Sequence, residues 1–356
     1  MNEVDKLYQK LLKAKQDRLD GIHHSIPFNI PGLQEKLYGI RKGFQYIVTA
    51  GSGIGKTQFT KAAFVFNAIR FAKEHNIDLK IYYFALEESK DQFILSTISA
   101  TVKKETNLEI SLAELQSLGD KILSDTNIQV ISKYLPYVKD IYSKVVILDT
   151  LYEPSEMVSY VTTDLLSKGK LIEEVDEEGE KVFRYHPHNP YEFNLVVVDH
   201  IGLMSDENNA WNRISSWSKE YCLKILKKQF NCAVINIQQQ SGEKLKAQYD
   251  MKGKPVVEKM IPSLDGLADN KTTYHDADVV IGVFDPFVYQ IESMEGFNIP
   301  SMGGYFRSLH IIKNRFGSIG SIGTYYNGST NTFKQLPIAS KLTPQDYVKI
   351  RQGIYL

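Results

Sequence analysis

A short segment near residue 50 combines glycine, lysine and threonine at the spacing of a phosphate-binding loop. It lies between an apolar strand and a helical stretch that begins at Gln58, and it reads Ala50-Gly51-Ser52-Gly53-Ile54-Gly55-Lys56-Thr57. Backbone amides of such a loop point at the phosphates of a nucleotide, and the helix N-terminus adds its dipole. We predict that residues 51 to 58 bind ATP, with Lys56 on the β- and γ-phosphates and Thr57 on Mg²⁺. Ala50 stands where the motif usually has its first glycine.

Acidic residues follow two apolar strands and could complete a magnesium-dependent hydrolysis site. Asp199 ends the run Leu195-Val196-Val197-Val198, where its carboxylate could hold the water shell of a magnesium ion bound to Thr57. Glu87 and Glu88 follow the run Phe84-Ala85-Leu86. Because hydrolysis needs a group that orients or deprotonates the attacking water, we predict Glu87 as the catalytic base, with Glu88 as the alternative.

The elements that carry these residues alternate along the chain. Runs typical of strands lie at 45–49, 81–86, 145–148, 195–198, 233–237, 279–283 and 310–313, with helical stretches between several of them. This alternation predicts an α/β fold, a mostly parallel sheet with helices on both faces and ligands at the carboxyl ends of its strands. Three glutamines, Gln238, Gln239 and Gln240, follow one such run and are candidates to sense a γ-phosphate. The Gly- and Thr-rich segment 318–333 predicts a terminal hairpin.

Three further segments depart from this alternation. Residues 1–32 contain apolar side chains at helical spacing from Val4 to Leu12, and then Pro27 and Pro31, which predicts an amphipathic helix followed by an extended linker. Residues 168–191 have two short apolar-containing arms about an acidic turn, which predicts an inserted hairpin; a disordered acidic loop is the alternative. Residues 33–340 would then form the ATPase domain and 341–356 a C-terminal tail.

Composition excludes several classes of protein. The 356 residues include 42 basic and 42 acidic side chains, which argues against a globally positive surface, although basic groups could line a local channel. No apolar run approaches the roughly 20 residues needed to span a bilayer, and the N-terminus lacks the apolar stretch of a secretory signal. We therefore predict a cytoplasmic protein with no membrane association. Cys222 and Cys232 lack the spacing of a disulfide framework or a zinc site.

The order of these motifs and the residues in them resemble the RecA-like motor domain of the hexameric replicative helicases, the DnaB and phage primase-helicase family. The resemblance runs from about residue 21 to residue 336. Phe84-Ala85-Leu86-Glu87 is similar to the segment whose glutamate activates water in that family, and Val197-Val198-Asp199-His200-Ile201 is similar to its magnesium-site strand. Asn236-Ile237-Gln238-Gln239 resembles the strand that ends in a γ-phosphate-sensing glutamine, which aligns best with Gln239.

A further match concerns contacts between subunits. Ile312-Lys313-Asn314-Arg315-Phe316-Gly317 resembles the family segment whose basic residues reach the nucleotide of the neighbouring subunit. The resemblance implies that Lys313 and Arg315 act in trans, so the chain is expected to form a homo-oligomer, a hexameric ring. It also implies that the N-terminal amphipathic helix is a linker helix that packs on the adjacent subunit.

Contacts with single-stranded DNA are expected from loops that face the channel of such a ring. The stretch 241–273 occupies the position of the family's DNA-binding loops, and lysines there would hold phosphates without reading bases. The candidate contacts are Lys244, Lys246, Lys254 and Lys271, with Arg213 in the helix after the Asp199 strand.

The resemblance implies an ATP-driven, ring-forming DNA helicase motor that translocates on single-stranded DNA and unwinds duplex during replication. A primase or loader would be a separate protein, in the cytoplasm of a bacterium or a phage-infected host. Two alternatives share the fold: a RecA-type recombination or repair ATPase, and a phage or mobile-element assembly factor that uses ATP as a switch.

Overall fold

The computed structural model describes residues 3–176, 179–205, 209–243, 246, 248–249 and 255–355. Its strands are β1 Ser25–Ile26, β2 Ile40–Arg41, β3 Gln45–Ala50, β4 Asp78–Ala85, β5 Val145–Leu148, β6 Gly169–Val175, β7 Lys181–Pro187, β8 Glu192–Asp199, β9 Ala233–Gln239, β10 Val279–Phe284, β11 Ser293–Met294, β12 Phe297–Asn298, β13 Phe306–Asn314, β14 Gly320–Asn327 and β15 Thr332–Gln335. Every predicted strand is present, and most extend beyond the predicted bounds.

The α-helices are α1 Glu3–Leu19, α2 Pro31–Leu37, α3 Lys56–Thr60, α4 Asn67–Glu74, α5 Lys90–Thr106, α6 Leu112–Leu115, α7 Asp125–Lys144, α8 Pro154–Leu166, α9 Ala210–Ser216, α10 Val257–Met260, α11 Ile299–Met302 and α12 Pro344–Arg351. A π-helical segment, Lys61–Phe66, joins α3 to α4, and a second one, Trp217–Gln229, continues α9.

Within the described residues the central sheet has the strand order β15-β14-β13-β10-β3-β9-β8-β4-β5. The six strands from β10 to β5 run parallel, whereas β13, β14 and β15 are joined to them by antiparallel pairing. The carboxyl ends of β3, β4, β8 and β9 therefore meet at one edge of the sheet, which is where parallel α/β sheets bind ligands. The predicted α/β fold and the terminal hairpin, β14–β15, are confirmed.

Both faces of the sheet are covered by apolar side chains. Along β4, Ile81 and Tyr83 pack into one core cluster, and Tyr82 and Phe84 pack into the other. Successive strand residues point to opposite faces, so a strand buried on both faces is a continuous apolar run and not an alternating one. This explains why the central strands could be located from the sequence.

The predicted extended linker before Gly32 is wrong in part. β1 pairs with β2, and the side chains of Ile26 and Ile30 are fully buried in the main core. Pro31 begins α2, where its missing N–H costs no hydrogen bond. Prolines in this segment restrict the backbone without preventing burial, so the segment is part of the domain.

The two terminal helices differ in their packing. Within this one chain, α1 leaves its apolar face in solvent, with Val4 74% and Leu11 61% exposed. The predicted tail beyond residue 340 contains α12, whose Ile350 is fully buried. The C-terminal segment is therefore packed on the domain.

The segment 168–191 forms a two-stranded hairpin. β6 and β7 pair antiparallel from Gly169↔Pro187 to Val175↔Lys181. Residues 177 and 178, at the turn, lie outside the described part of the chain. The hairpin interpretation is confirmed over the described residues, and the disordered-loop alternative is not supported there.

Candidate nucleotide site

The phosphate-binding loop connects β3 to α3, as predicted. Gly53 and Gly55 have φ angles of 72° and 114°, in the left-handed region that favours glycine. Added Cβ atoms would differ in their surroundings: at Gly53 nothing lies within 4 Å, whereas at Gly55 the ring of Tyr326 would be 3.2 Å away. The loop is therefore open to a ligand at Gly53, whereas at Gly55 it packs against the Tyr326 ring.

Lys56 lies at the end of this loop, and its charge interacts with two carboxylates. Its side chain is buried, and Nζ donates a hydrogen bond of 2.9 Å to the carbonyl oxygen of Gly51. Burial lowers the pKa of Lys56, and the negative charges of Asp199 and Glu87 oppose that shift. The ammonium group is therefore within electrostatic range of both predicted acidic partners.

Asp199 has the environment expected of a magnesium-site carboxylate. Its Oδ2 accepts a 2.9 Å hydrogen bond from the Tyr83 hydroxyl, while Oδ1 is buried with no hydrogen-bond partner among the described residues. Burial raises the pKa of Asp199, and interactions with the hydroxyls of Thr57 and Tyr83 oppose the rise. A buried carboxylate oxygen without a donor, beside a threonine hydroxyl, fits a divalent cation.

The number of protein ligands also fits magnesium. The described residues contain no cluster of three or more His, Cys, Asp or Glu side chains that could hold a metal alone. Mg²⁺ bound with a nucleotide usually takes one or two protein ligands, and water and phosphate oxygens supply the rest. Thr57 and Asp199 would supply two such ligands.

The structure separates the two candidate bases. Glu88 forms a 2.6 Å ion pair with Lys61, whose side chain is only 2% exposed. Glu87 is exposed, and its backbone N–H donates to the carbonyl oxygen of Asp199 at 3.2 Å. Because Glu88 is engaged with Lys61 and the Glu87 side chain is exposed, Glu87 is the better candidate for the group that meets a water molecule.

The three glutamines at the end of β9 also separate. Gln238 donates to the carbonyls of Ala268 and Asn270, and Gln240 donates to the Thr49 hydroxyl. Both are buried.

Gln239 is only partly buried, and its Nε2 lies 3.1 Å from Nε2 of His200, the residue after Asp199. His200 in turn accepts a 3.2 Å hydrogen bond at Nδ1 from the backbone N–H of Gly202. Gln239 is thus the glutamine of the three whose side chain is partly exposed and lies beside His200, and its sensing role stays a prediction.

Lys313 and Arg315 lie at the opposite end of the strands from the phosphate-binding loop, near the amino ends of β10 and β3. Lys313 Nζ donates to the carbonyl of Tyr274 at 2.5 Å, and Arg315 contacts the carbonyl of His275 at 3.1 Å and Asp278 Oδ1 at 3.4 Å. Strand register explains the position, since Asn314 pairs with Val279, and Val279 pairs with Tyr46 near the start of β3. The structure does not bring these two residues to the phosphate-binding loop of their own chain.

Arg307 was missed by the sequence analysis. Its guanidinium donates to the Ile54 carbonyl of the loop at 2.8 Å, pairs with Asp285 at 2.9 Å and lies 4.2 Å from the centre of the Tyr326 ring. Burial lowers the pKa of Arg307, and the charge of Asp285 opposes the shift. An arginine directly after Phe306, near the start of a buried strand, was the one available signal. Arg307 and Tyr326 thus contact the phosphate-binding loop and stabilise its conformation.

The predicted DNA contacts are only partly described. Lys244 and Lys254 lie outside the described residues, whereas Lys246 and Lys271 are exposed and Arg213 is half-buried in α9. α9 and the loop are in contact, because Asn270 Nδ2 donates to the carbonyl of Trp211 at 2.9 Å. Arg213 and Lys271 therefore lie on neighbouring elements.

Comparison with known proteins agrees with this geometry. The family model of the DnaB-like helicase C-terminal domain matches residues 168–335, which include Asp199, Gln239 and both basic residues of the 313–315 segment. No curated protein matches the chain at a significant level.

Two solved structures share the fold over nearly the whole chain. One, described as an ATPase domain, matches with a TM-score of 0.68 and 17% identity, covering 95% of this chain and 100% of that one. The structure of a DnaB-like replicative helicase, described together with its interactions with primase, matches with a TM-score of 0.66 and 16% identity, covering 94% of this chain and 68% of that one. The predicted resemblance is confirmed: residues 168–335 match the DnaB-like helicase C-terminal domain, which implies an ATP-hydrolysing enzyme, and the two solved structures share the fold of the chain.

Proposed function

We propose that this ATP-dependent replicative helicase works as a ring of identical subunits, a hexamer, that translocates on single-stranded DNA with ATP bound between neighbouring subunits. The observation that carries the proposal is the separation of Arg315 from the phosphate-binding loop of its own chain. A site with its arginine on another subunit makes hydrolysis conditional on assembly, and such an arginine is worth on the order of 10³ or more in rate.

The separation follows from the strand register. Tyr46 is level with Asn314 through β10, and the loop begins at Ala50, four residue steps farther along β3. At about 3.3 Å per residue this is about 13 Å along the sheet, and Arg315 lies beyond Asn314, farther from the loop. Contacts with Asp278 and His275 hold the side chain at that edge. In a ring, the same edge would face the loop of the next subunit.

The residues of one chain divide the work of hydrolysis as follows. The loop amides and Lys56 bind and orient the triphosphate, and Thr57 and Asp199 hold the metal ion. Mg²⁺, when bound, neutralises phosphate charge. Glu87 accepts a proton from the attacking water, and Gln239 contacts the γ-phosphate. Lys313 and Arg315 of each chain would stabilise charge on the nucleotide of the neighbouring chain.

The exposed face of α1 supports the same assembly. A lone amphipathic helix is marginal in water and needs an apolar partner surface. Its apolar side chains are exposed within one chain: Val4, Leu7, Tyr8, Leu11 and Leu12. We propose that this face packs on the adjacent subunit.

DNA would pass the surface formed by α9 and the loop that follows β9. Arg213, Lys246 and Lys271 supply positive charge there, and Lys244 and Lys254 belong to the same loop in sequence. The loop is joined to β9, because the N–H of Ala268 donates to the carbonyl of Gln239 at 2.8 Å. A change at the γ-phosphate could thereby reach the loop.

The remaining partners are also proposals. One structural relative was described with its interactions with primase, and we propose that a separate primase or loader serves this chain. Within the described residues, none of the helices is long and apolar enough to cross a bilayer. We propose action in the cytoplasm.

Electron microscopy of the protein with and without ATP and single-stranded DNA tests the ring. Wild-type protein is expected to form closed six-fold particles. Arg315→Ala should form the same particles, because the proposed role of Arg315 is in hydrolysis and not in assembly of the ring. Open helical filaments on DNA would overturn the ring and indicate a RecA-type recombinase. Particles that remain monomeric with ATP, Mg²⁺ and DNA would overturn a shared site.

A further inference from the structure

Lys61 and Glu88 form a buried ion pair beside the proposed catalytic base. Lys61 lies five residues after Lys56 in the same continuous helix, and its Nζ is 2.6 Å from Glu88 Oε1. The lysine is enclosed by α5, where the Ser96 hydroxyl lies 3.2 Å from Nζ and the Phe93 ring centre 4.1 Å from it. A buried pair of this kind is weak evidence for stability, because desolvation of both charges offsets their attraction. Its location suggests another role.

We propose that the Lys61–Glu88 pair is a positioning device for Glu87: it fixes the turn after β4 to the helix of the phosphate-binding loop, so that the Glu87 carboxylate stays aligned with the γ-phosphate. This inference rests on the proposed role of Glu87 as the base. Neither Lys61 nor Glu88 touches the nucleotide in this scheme. They act through Glu87.

The geometry gives the pair control over the turn. Glu87 itself is exposed, and in the described structure its anchor is a backbone hydrogen bond from its N–H to the carbonyl of Asp199 at 3.2 Å. The next residue, Glu88, is tied by its side chain to a lysine that is itself nearly inaccessible. One end of the turn is thus attached to β8, through Asp199. The other end is attached, through Lys61, to the helix that follows the phosphate-binding loop.

The pair also removes a competing carboxylate. An unpaired Glu88 would place a second negative charge one residue from the base, where it could take up the same water. Burial raises the pKa of Glu88, and the charge of Lys61 opposes the rise. With Lys61 present, one acid is directed inward and only Glu87 is directed outward.

Steady-state ATPase assays on the full-length protein with DNA test this role, together with ATP affinity measured with a fluorescent ATP analogue. Lys61→Met and Glu88→Gln should each lower kcat by about 10-fold or more, since small misplacements of a reacting group cost rate steeply. KM and analogue affinity should stay within about twofold, because the loop and Lys56 remain. Lys168→Met, which breaks a 2.6 Å pair with Asp164 elsewhere in the fold, is the matched control.

A second experiment separates positioning from folding. In Lys61→Met/Glu88→Met an apolar pair replaces the ion pair, so thermal stability lost in either single variant should return in large part. The reduced kcat should not return. If the double variant recovers both stability and kcat, or if the single variants lose stability but keep kcat, the pair is structural only and the inference is overturned.

A third comparison shows which idea has failed. Glu88→Gln added to Glu87→Gln should slow hydrolysis no further than Glu87→Gln alone, since residues acting through one group are not additive. An additional loss in the double variant would overturn the positioning role. Normal turnover by Glu87→Gln would instead overturn the proposed base. Loss of turnover by Glu87→Gln, with Lys61→Met and Glu88→Gln at wild-type kcat, would remove only the present inference.

Discussion

The hydroxyl of Tyr83 donates a 2.9 Å hydrogen bond to Oδ2 of Asp199, and this leaves Oδ1 as the oxygen available to a cation. Both side chains are almost fully buried. Tyr83 and Asp199 are on adjacent parallel strands, with Ala85 paired to Asp199 and Tyr83 paired to Val197. The hydrogen bond therefore restricts the rotation of a carboxylate that has little solvent to stabilise its charge.

Tyr83→Phe should raise the Mg²⁺ concentration needed for half-maximal ATPase activity. The ring stays in contact with Phe93, and the lost donor leaves the carboxylate less well oriented, which should also cost about 1–3 kcal/mol of unfolding free energy. Magnesium titrations of the ATPase rate would measure this effect. Tyr82→Phe is the matched control, because it removes a hydroxyl that faces Asp164 on the opposite side of the same strand. An equal shift in both variants would argue against a specific role for Tyr83.

Glu87→Gln should bind ATP with near-normal affinity and lose turnover by about 10²–10⁴-fold, the usual contribution of a general base. Lys56→Ala should lose nucleotide binding itself, because it removes the cation that contacts the phosphates. Isothermal titration with a non-hydrolysable analogue and single-turnover kinetics separate the two effects. Turnover that survives Glu87→Gln but is abolished by Glu88→Gln would move the base to Glu88.

The sequence predicted the elements that bear chemistry better than those that support them. β3, β4, β8 and β9 are apolar runs that end in characteristic residues, so both their position and their common edge could be inferred. Arg307 and Tyr326 could not, because they are distant from the loop in sequence and belong to no local pattern. The support of the loop arises only when β13 and β14 pair beside β10.

The choice between neighbouring candidates also required the fold. Glu87 and Glu88 are chemically equivalent as sequence, and they differ because Lys61 lies beneath only one of them. The family resemblance favours Gln239 over Gln238 and Gln240, and the structure shows that Gln239 is less buried than both. The prolines in residues 23–32 predict an extended linker, whereas Ile26 and Ile30 are core residues.

Arg315→Ala should bind ATP nearly normally and hydrolyse it slowly, by about 10³-fold if the residue completes the neighbouring site. Mixing it with Glu87→Gln protein should restore part of the activity, because one class of hybrid interface has both intact groups. Subunit mixing must be verified by mass spectrometry of the assemblies. Mixed rings without recovered activity would contradict a role in trans.

Acid should destabilise the fold partly through His310, on β13. Burial lowers the pKa of His310 to about 4, and its Nε2 lies 2.9 Å from the Ser308 hydroxyl, which in turn contacts Glu295. In the unfolded chain, His310 becomes protonated below about pH 6.5, whereas in the folded chain it stays neutral down to about pH 4. Stability from this group is therefore complete above pH 6.5 and lost as the pH falls, by up to about 1.4 kcal/mol per pH unit.

Urea unfolding at several pH values between 7 and 4.5 would measure this dependence. His310→Gln should have a shallower decline than wild type, because it has no group to protonate. His188→Gln, at an exposed position, is the control and should retain the full decline. Parallel curves for wild type and His310→Gln would assign the acid sensitivity to other groups.

Binding to single-stranded DNA should tolerate any sequence, require ATP and weaken with salt. Lysines that contact phosphates release counterions, so each lost contact should reduce the slope of log affinity against log salt by about 0.7. Neutralising Lys244, Lys246 and Lys271 together should weaken DNA affinity and the DNA stimulation of hydrolysis, while basal ATPase activity stays near normal. Fluorescence anisotropy at several salt concentrations measures both affinity and slope.

The control is the same charge change at the exposed lysines Lys121, Lys133 and Lys139, which should leave the slope unchanged. If the loop variant binds as tightly as the parent with the same slope, this loop does not face the DNA channel, and an ATP-switched assembly factor becomes the better explanation of the fold.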